Sequence, residues 1–183
     1  MALVVRQAQR DGDLDSVGAS WGEYLRWANE QFDVEYGFRL DVEDVLERNL
    51  ADLSPFEPPE GRLLLAIDDR TAVAVGCLQK LRPETAEIKR MFVRPLARGR
   101  GIGKLLLHRL VVAARESGYH QVLLDSTRFM QTAHSLYRSV GFTEIEPYPE
   151  SEIPAELRHH WLFMALSLDE QPMSGRAGPG IVP

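Results

Sequence analysis

The chain has 183 residues, 44% of them hydrophobic and 26% charged, with a formal net charge of −6. At roughly 150 residues per domain this is one domain, long enough to bury a core without disulfide staples. A single cysteine, Cys77, excludes an internal disulfide framework and a cysteine-rich zinc module, and it fits a reducing, cytoplasmic compartment. The acidic balance argues against a nucleic-acid partner held by phosphate neutralisation. No apolar run approaches the roughly 20 residues of a membrane span. Met1-Ala2-Leu3-Val4-Val5-Arg6 has neither the basic nor the apolar part of a signal peptide, so none is expected.

In chain order, residues 3–8 read as a short strand ended by Asp11-Gly12. Over 14–32, Leu14, Val17, Trp21, Tyr24, Leu25, Ala28 and Phe32 recur at steps of three and four, the stripe of an amphipathic helix. Val42, Val45, Leu46, Leu50 and Leu53 repeat that pattern behind Asp41, a suitable N-cap. Ser54-Pro55-Phe56-Glu57-Pro58-Pro59-Glu60-Gly61 is expected to be irregular, because proline fixes φ and removes a donor. The period then changes. Residues 62–67, 71–79 and 86–93 read as three strands of an antiparallel meander, with turns at Asp68-Asp69-Arg70 and Arg82-Pro83-Glu84.

A helix is expected behind Ile102, stopped by Ser117-Gly118, then a buried strand over 121–125. The strand–helix–strand unit makes its two strands parallel neighbours. Residues 132–140 read as a short helix ended by Gly141, and 142–145 and 161–168 as two last strands around a Pro- and Glu-rich excursion. Residues 1–170 are expected to form the domain and 171–183 a disordered tail. The fold class is therefore α/β, or α+β by some conventions: a mixed, mostly antiparallel sheet with helices on both faces. No internal repeat is visible.

The chemistry concentrates in Arg98-Gly99-Arg100-Gly101-Ile102-Gly103-Lys104, between a strand and a helix N-terminus. Alternate glycines let successive N–H groups point into one concavity, and the helix dipole adds about half a positive charge there. Arg98, Arg100 and Lys104 add fixed charge, so a phosphate or pyrophosphate is the natural ligand. A P-loop reading fails, because Leu105 stands where Ser or Thr must hold magnesium. The glycine spacing also departs from the Rossmann fingerprint, and no doubly wound parallel sheet lies upstream.

What fits is Arg/Gln-x-x-Gly-x-Gly/Ala. With the preceding Met91-Phe92-Val93-Arg94-Pro95, the segment closely resembles the acyl-CoA pyrophosphate loop of the GNAT superfamily of N-acetyltransferases. Ala133-His134-Ser135-Leu136-Tyr137-Arg138-Ser139-Val140-Gly141-Phe142 is similar to that family's Ala-x-x-Leu-Tyr-x-x-x-Gly-Phe block. The likeness spans residues 62–168. It implies two central parallel strands that splay apart and a pantetheine arm bonded, strand-like, to the backbone around Met91, Phe92 and Val93. Pyrophosphate oxygens would receive the N–H groups of Arg98, Gly99, Arg100, Gly101, Ile102, Gly103 and Lys104.

The resemblance further implies direct attack of an acceptor amine on acetyl-CoA in a ternary complex, with Tyr137 as general acid for the leaving thiolate. Glu87, on the strand leading to the loop, falls where many members place a base or a water-holding carboxylate. Its strand should alternate Glu87, Lys89, Met91 on one face against Ile88, Arg90, Phe92 on the other. An asparagine carried by many members seven residues before the tyrosine is Met130 here, which removes an amide donor. The expected acceptor is a primary amine of a small metabolite. A protein N-terminus or lysine, or a catalytically silent CoA sensor, is the alternative. Homodimerisation is common in the family. No metal, nucleic acid or membrane partner is expected. Cys77 reads as a buried structural thiol, His159-His160 as alternating strand residues unable to share a metal, and His108 and His134 as surface or capping residues.

Overall fold

The computed structural model describes residues 3–169. The expected tail, 171–183, lies outside them. The elements are β1 (Val4–Gln7), α1 (Arg10–Tyr36), α2 (Val42–Ala51), β2 (Arg62–Asp68), β3 (Thr71–Arg82), β4 (Thr85–Val93), α3 (Ile102–Glu116), β5 (Gln121–Thr127), α4 (Gln131–Val140), β6 (Thr143–Ile145) and β7 (Trp161–Ser167). The strands form one mixed sheet in the order β1-β2-β3-β4-β5-β7-β6. β2, β3 and β4 make the expected antiparallel meander. The last strands do not follow sequence order: β7 inserts between β5 and β6, leaving β6 at the edge and β7 buried within the sheet. An apolar strand such as Trp161–Ser167 gains more from two neighbours than the three-residue, exposed β6 would.

Local physics moved several boundaries. α1 starts at Arg10 and absorbs Asp11 and Gly12, which had been expected to end β1. Asp13 accepts the Gln9 N–H at 2.7 Å and pairs with Arg6 at 2.6 Å, tying the first turn back to β1. Two acidic residues in that turn also suit the helix dipole. Asp41 caps α2 as expected, its side chain accepting the Asp44 N–H at 3.1 Å. The proline-rich loop is not wholly irregular. Ser54–Phe56 make one 3-10 turn, which tolerates Pro55 at its start, and Phe56 is buried edge-on against Trp21. Two further such turns are Pro95–Ala97, behind β4, and Ala155–His160, in the excursion before β7.

Two apolar layers pack on the sheet. On one face α3 buries Leu106, Leu107, Leu110 and Ala114 completely against Leu64, Ala74, Leu78, Ile88, Val122 and Met164. Each such leucine contributes about 2 kcal/mol of burial. On the other face α1 and α2 cover Leu63, Leu65, Val75 and Cys77, with Trp21 at the centre of the layer.

The alternation expected for β4 breaks midway. Register shifts between Val75 and Cys77 mark a bulge opposite Arg90, whose φ is +52°. The extra residue reverses the parity of the strand. Ala86 and Ile88 face α3, and so do Met91 and Val93, whereas Phe92 joins the α1 side. Arg90 lies over Trp21 and Phe56, each at 5.2 Å. Met91 and Glu87 therefore point to opposite faces, against the sequence-based expectation.

Candidate active site

β4 and β5 run parallel only through Thr85↔Gln121, Ala86↔Val122 and Glu87↔Leu123. Beyond Glu87, β4 continues to Val93 without that neighbour, so its outer N–H and C=O groups face an opening. α3 begins across the opening at Gly101, its N-cap, and α4 closes the other side. Between them lies a cleft of about 470 Å³, walled by β4 residues Met91, Phe92 and Val93, by the glycine turn, and by α4 residues Ala133, Leu136 and Tyr137.

The turn is built for an anion. Gly99 and Gly101 have φ of +75° and +76°, and no atom lies within 4 Å of a Cβ placed at either. The turn sits at the positive end of a 15-residue helix, and the Arg98 N–H ahead of it is already donated to the Pro95 carbonyl at 3.2 Å. The cradle fits a diphosphate, and the unpaired β4 edge fits an extended amide-bearing arm. Arg98 and Lys104 line the cleft. The Arg98 guanidinium donates to the Val93 carbonyl at 3.0 Å and lies over Trp27 at 5.6 Å. Arg100 departs from expectation: its side chain pairs with Asp68 at 2.7 Å and is absent from the cleft wall. Two of the three expected cationic side chains thus reach the site.

Tyr137 is 7% exposed and lines the cleft. Burial pushes its phenol well above the ordinary range, so it is a proton donor at any physiological pH. One turn earlier on α4, His134 is buried rather than on the surface. Its Nε2 meets Ser126 Oγ of β5 at 3.2 Å, and burial lowers its pKa, which favours the neutral ring. Met130 stands at the N-cap of α4, where the Ser126 hydroxyl donates to its sulfur at 3.6 Å. Tyr24, Trp27 and Phe129 add an aromatic wall to the cleft.

Glu87 lies elsewhere. It is 1% exposed and lies outside the cleft wall. Its Oε1 accepts the Tyr148 hydroxyl at 2.5 Å and its Oε2 the Gln79 amide at 2.8 Å. Asp125 of β5 is 3.5 Å from the same hydroxyl. Burial, then the Glu87 charge, pushes Asp125 up to about 6. Lys89 lies 3.6 Å from Glu87 and 2.5 Å from Glu152. The acidic excursion is thus partly paired, with Glu150 also bonded to Arg82 at 2.9 Å.

Cys77 is fully buried and its thiol is pushed up to about 12, so it is an inert core residue. His159 and His160 end a 3-10 turn rather than sit on a strand, and their rings lie 3.8 Å apart. Among the described residues no group of three metal-ligating side chains gathers, and no helix is long and apolar enough to cross a membrane. Sequence reasoning missed Asp125, Tyr148, His134 and Phe129. Asp125 carried a faint signal, an acid closing an otherwise apolar strand. Tyr148, in a connection between strands, carried none.

The model of the acetyltransferase (GNAT) family matches residues 21–142. An uncharacterized N-acetyltransferase of Schizosaccharomyces pombe is 32% identical over 145 residues, spanning 78% of this chain and 83% of that one. N-acetylaspartate synthetase of Homo sapiens is 29% identical over 136 residues, 73% of this chain but 42% of that protein. Among solved structures, the PaiA N-acetyltransferase from Thermoplasma acidophilum in complex with coenzyme A superposes with a TM-score of 0.71 at 17% identity, covering 91% of this chain and 99% of that one. With the splayed pair, the glycine turn and the Tyr137 block already in place, these matches decide the matter: this chain belongs to the acetyltransferase (GNAT) family.

Proposed function

We propose that the protein transfers an acetyl group from acetyl-CoA to a primary amine of a small metabolite, by direct attack in a ternary complex. One observation carries the reading: the Gly99–Gly101 amide cradle and the Tyr137 hydroxyl open into the same cleft, along the free edge of β4. The coenzyme A bound to the Thermoplasma structure supports the choice of thioester carrier. The amides from Gly99 to Lys104, with the Arg98 and Lys104 side-chain cations, hold the diphosphate, while the Arg98 N–H is donated to the Pro95 carbonyl at 3.2 Å; the Met91–Val93 backbone holds the pantetheine arm. As the amine attacks, the thioester C–S bond breaks and Tyr137 donates its hydrogen to the departing sulfur. Glu87 is a proton acceptor of the site, reached through Tyr148.

A small acceptor suits the aromatic wall of Tyr24, Trp27 and Phe129. The human relative is named for a small acetylated amino acid, N-acetylaspartate. The reading extends to a cytoplasmic enzyme that pairs with itself. Cys77 is a free thiol suited to reducing conditions, and β6 leaves its outer edge open.

Calorimetry with acetyl-CoA, followed by thiol release against free amino acids, aliphatic and aromatic amines, and peptides with free N-termini, tests this. Heat with acetyl-CoA and turnover of a free amine is the expected result. Turnover of peptides alone would transfer the activity to protein acceptors, and heat without any turnover would make the domain a silent CoA sensor. The same titration separates the two arginines. Arg98→Ala is expected to weaken acetyl-CoA about ten-fold, one lost charge-assisted contact, whereas Arg100→Ala changes affinity by about two-fold or less. Equal losses at both positions would show that Arg100 leaves Asp68 for the ligand.

A further inference from the structure

We propose that Asp125 takes the proton from the acceptor's ammonium and passes it through the Tyr148 hydroxyl to Glu87. The proposal rests on the acetyl-transfer reading and adds to it a second carboxylate, on the opposite strand of the splayed pair. Asp125 lies two residues beyond Leu123, the last β5 residue paired with β4, and shares its face of the strand. It therefore borders the gap between the strands. Glu87 is sealed at 1% exposure, whereas Asp125 keeps part of its surface open. Its charge is felt at both Tyr24 and Tyr137, two residues of the cleft wall. Neither carboxylate is part of the cleft wall, but Asp125 is the more exposed of the two and the one beside the gap.

The charge balance of the cluster leaves room for the proton. Glu87, Asp125 and Glu152 gather around Lys89, which lies nearest Glu152, and Arg90 adds its charge at Glu152 rather than at Asp125. The Tyr148 hydroxyl has a single hydrogen, and Glu87 holds it at 2.5 Å. Asp125, 3.5 Å from the same oxygen, faces a lone pair when ionised. Protonated, it donates to that lone pair and completes a chain from Asp125 to Tyr148 to Glu87.

In the reaction an N–H bond of the ammonium breaks and its electron pair stays on nitrogen as the attacking lone pair. An O–H bond forms at ionised Asp125. That proton moves to the Tyr148 oxygen while the phenol's own hydrogen moves to Glu87 Oε1, and Asp125 is ionised again. Facing Asp125 are Glu87 and Lys89 from β4, Tyr24 from α1, Tyr137 from α4, and Tyr148 and Glu152 from the β6–β7 connection. Its partner on β7 is the uncharged Phe163.

The test is carboxyl-carbon NMR of aspartate-labelled protein across pH, in the wild type, Asp125→Asn and Glu87→Gln, with acetyl-CoA calorimetry on each. The expected result is one aspartate carboxyl titrating near pH 6, absent in Asp125→Asn and moved toward lower pH in Glu87→Gln. On an amine the wild type acetylates, kcat/KM rises with pH through that same range. Asp125→Asn lowers it about 100-fold or more and removes the acid limb, with acetyl-CoA affinity retained. Aspartate carboxyls that all titrate near the ordinary value of about 4, or an Asp125→Asn enzyme with the wild-type pH profile, would overturn the proposal. Wild-type protein that titrates as expected yet gives no heat with acetyl-CoA would instead remove the acetyl-transfer reading. If Asp125→Asn fails to fold, the wild-type and Glu87→Gln titrations still decide.

Discussion

Replacing Tyr137 with phenylalanine is expected to lower kcat by about 100- to 1,000-fold while acetyl-CoA binds as before. The phenol is 7% exposed, and its ring packs against Phe142 at 6.0 Å between centroids. Phenylalanine keeps that packing, so stability should change little, and only the O–H is lost. Without it the sulfur leaves as an unaided thiolate in a buried, weakly solvating cleft. Burial that raises the phenol's pKa raises a thiol's in the same direction, as it does for Cys77, so donor and leaving group stay matched. Burst and steady-state thiol release on the two proteins check this. Unchanged kcat in Tyr137→Phe would remove Tyr137 from the chemistry and leave it a packing residue.

The largest expected effect on stability comes from a glycine outside the cleft. Gly61→Ala is expected to cost about 3 kcal/mol, measured by urea denaturation. An added Cβ would sit 2.0 Å from the Pro55 carbonyl oxygen and 2.7 Å from Phe56 Cα. Both are backbone atoms, so no rotamer change relieves the clash. The loop that seats Phe56 against Trp21 must move instead. Gly12→Ala is the control of opposite sign. That position lies within α1, where nothing lies within 4 Å, so alanine should stabilise by about 0.5 kcal/mol through helix propensity. Two destabilising results would mean that the start of α1 is held in a form alanine disfavours.

Local chemistry was enough to recognise most of the fold and the glycine turn that walls one side of the cleft. Gly99 and Gly101, between a strand and an apolar helix, specify a left-handed turn at that helix's N-terminus, whatever packs around it. Asp41, Gly101 and Gly141 each carry cap information within a few residues of the helix end they govern. Period-two and period-3.6 patterns found every strand and every α-helix, with errors confined to their ends. Gly12 misled because a capping contact from Asp13, set up by Arg6 on β1, outweighed a weak local preference. Arg100 misled because a charge in sequence beside the loop has no fixed direction, and Asp68 on β2 claimed it.

What residue order determined by itself, then, is everything whose cause is near in the chain: the strand–turn–helix cradle, the two amphipathic layers, and the placement of Tyr137 on a helix closed by glycine. Tertiary structure alone decided the rest. It put β7 between β5 and β6, reversed the side-chain parity of β4 at Arg90, and gathered Glu87, Asp125 and Tyr148 around one hydrogen. The physical reason is common to all three. Each depends on which distant partner satisfies a backbone edge or a buried charge, and that choice is made only when the whole sheet closes.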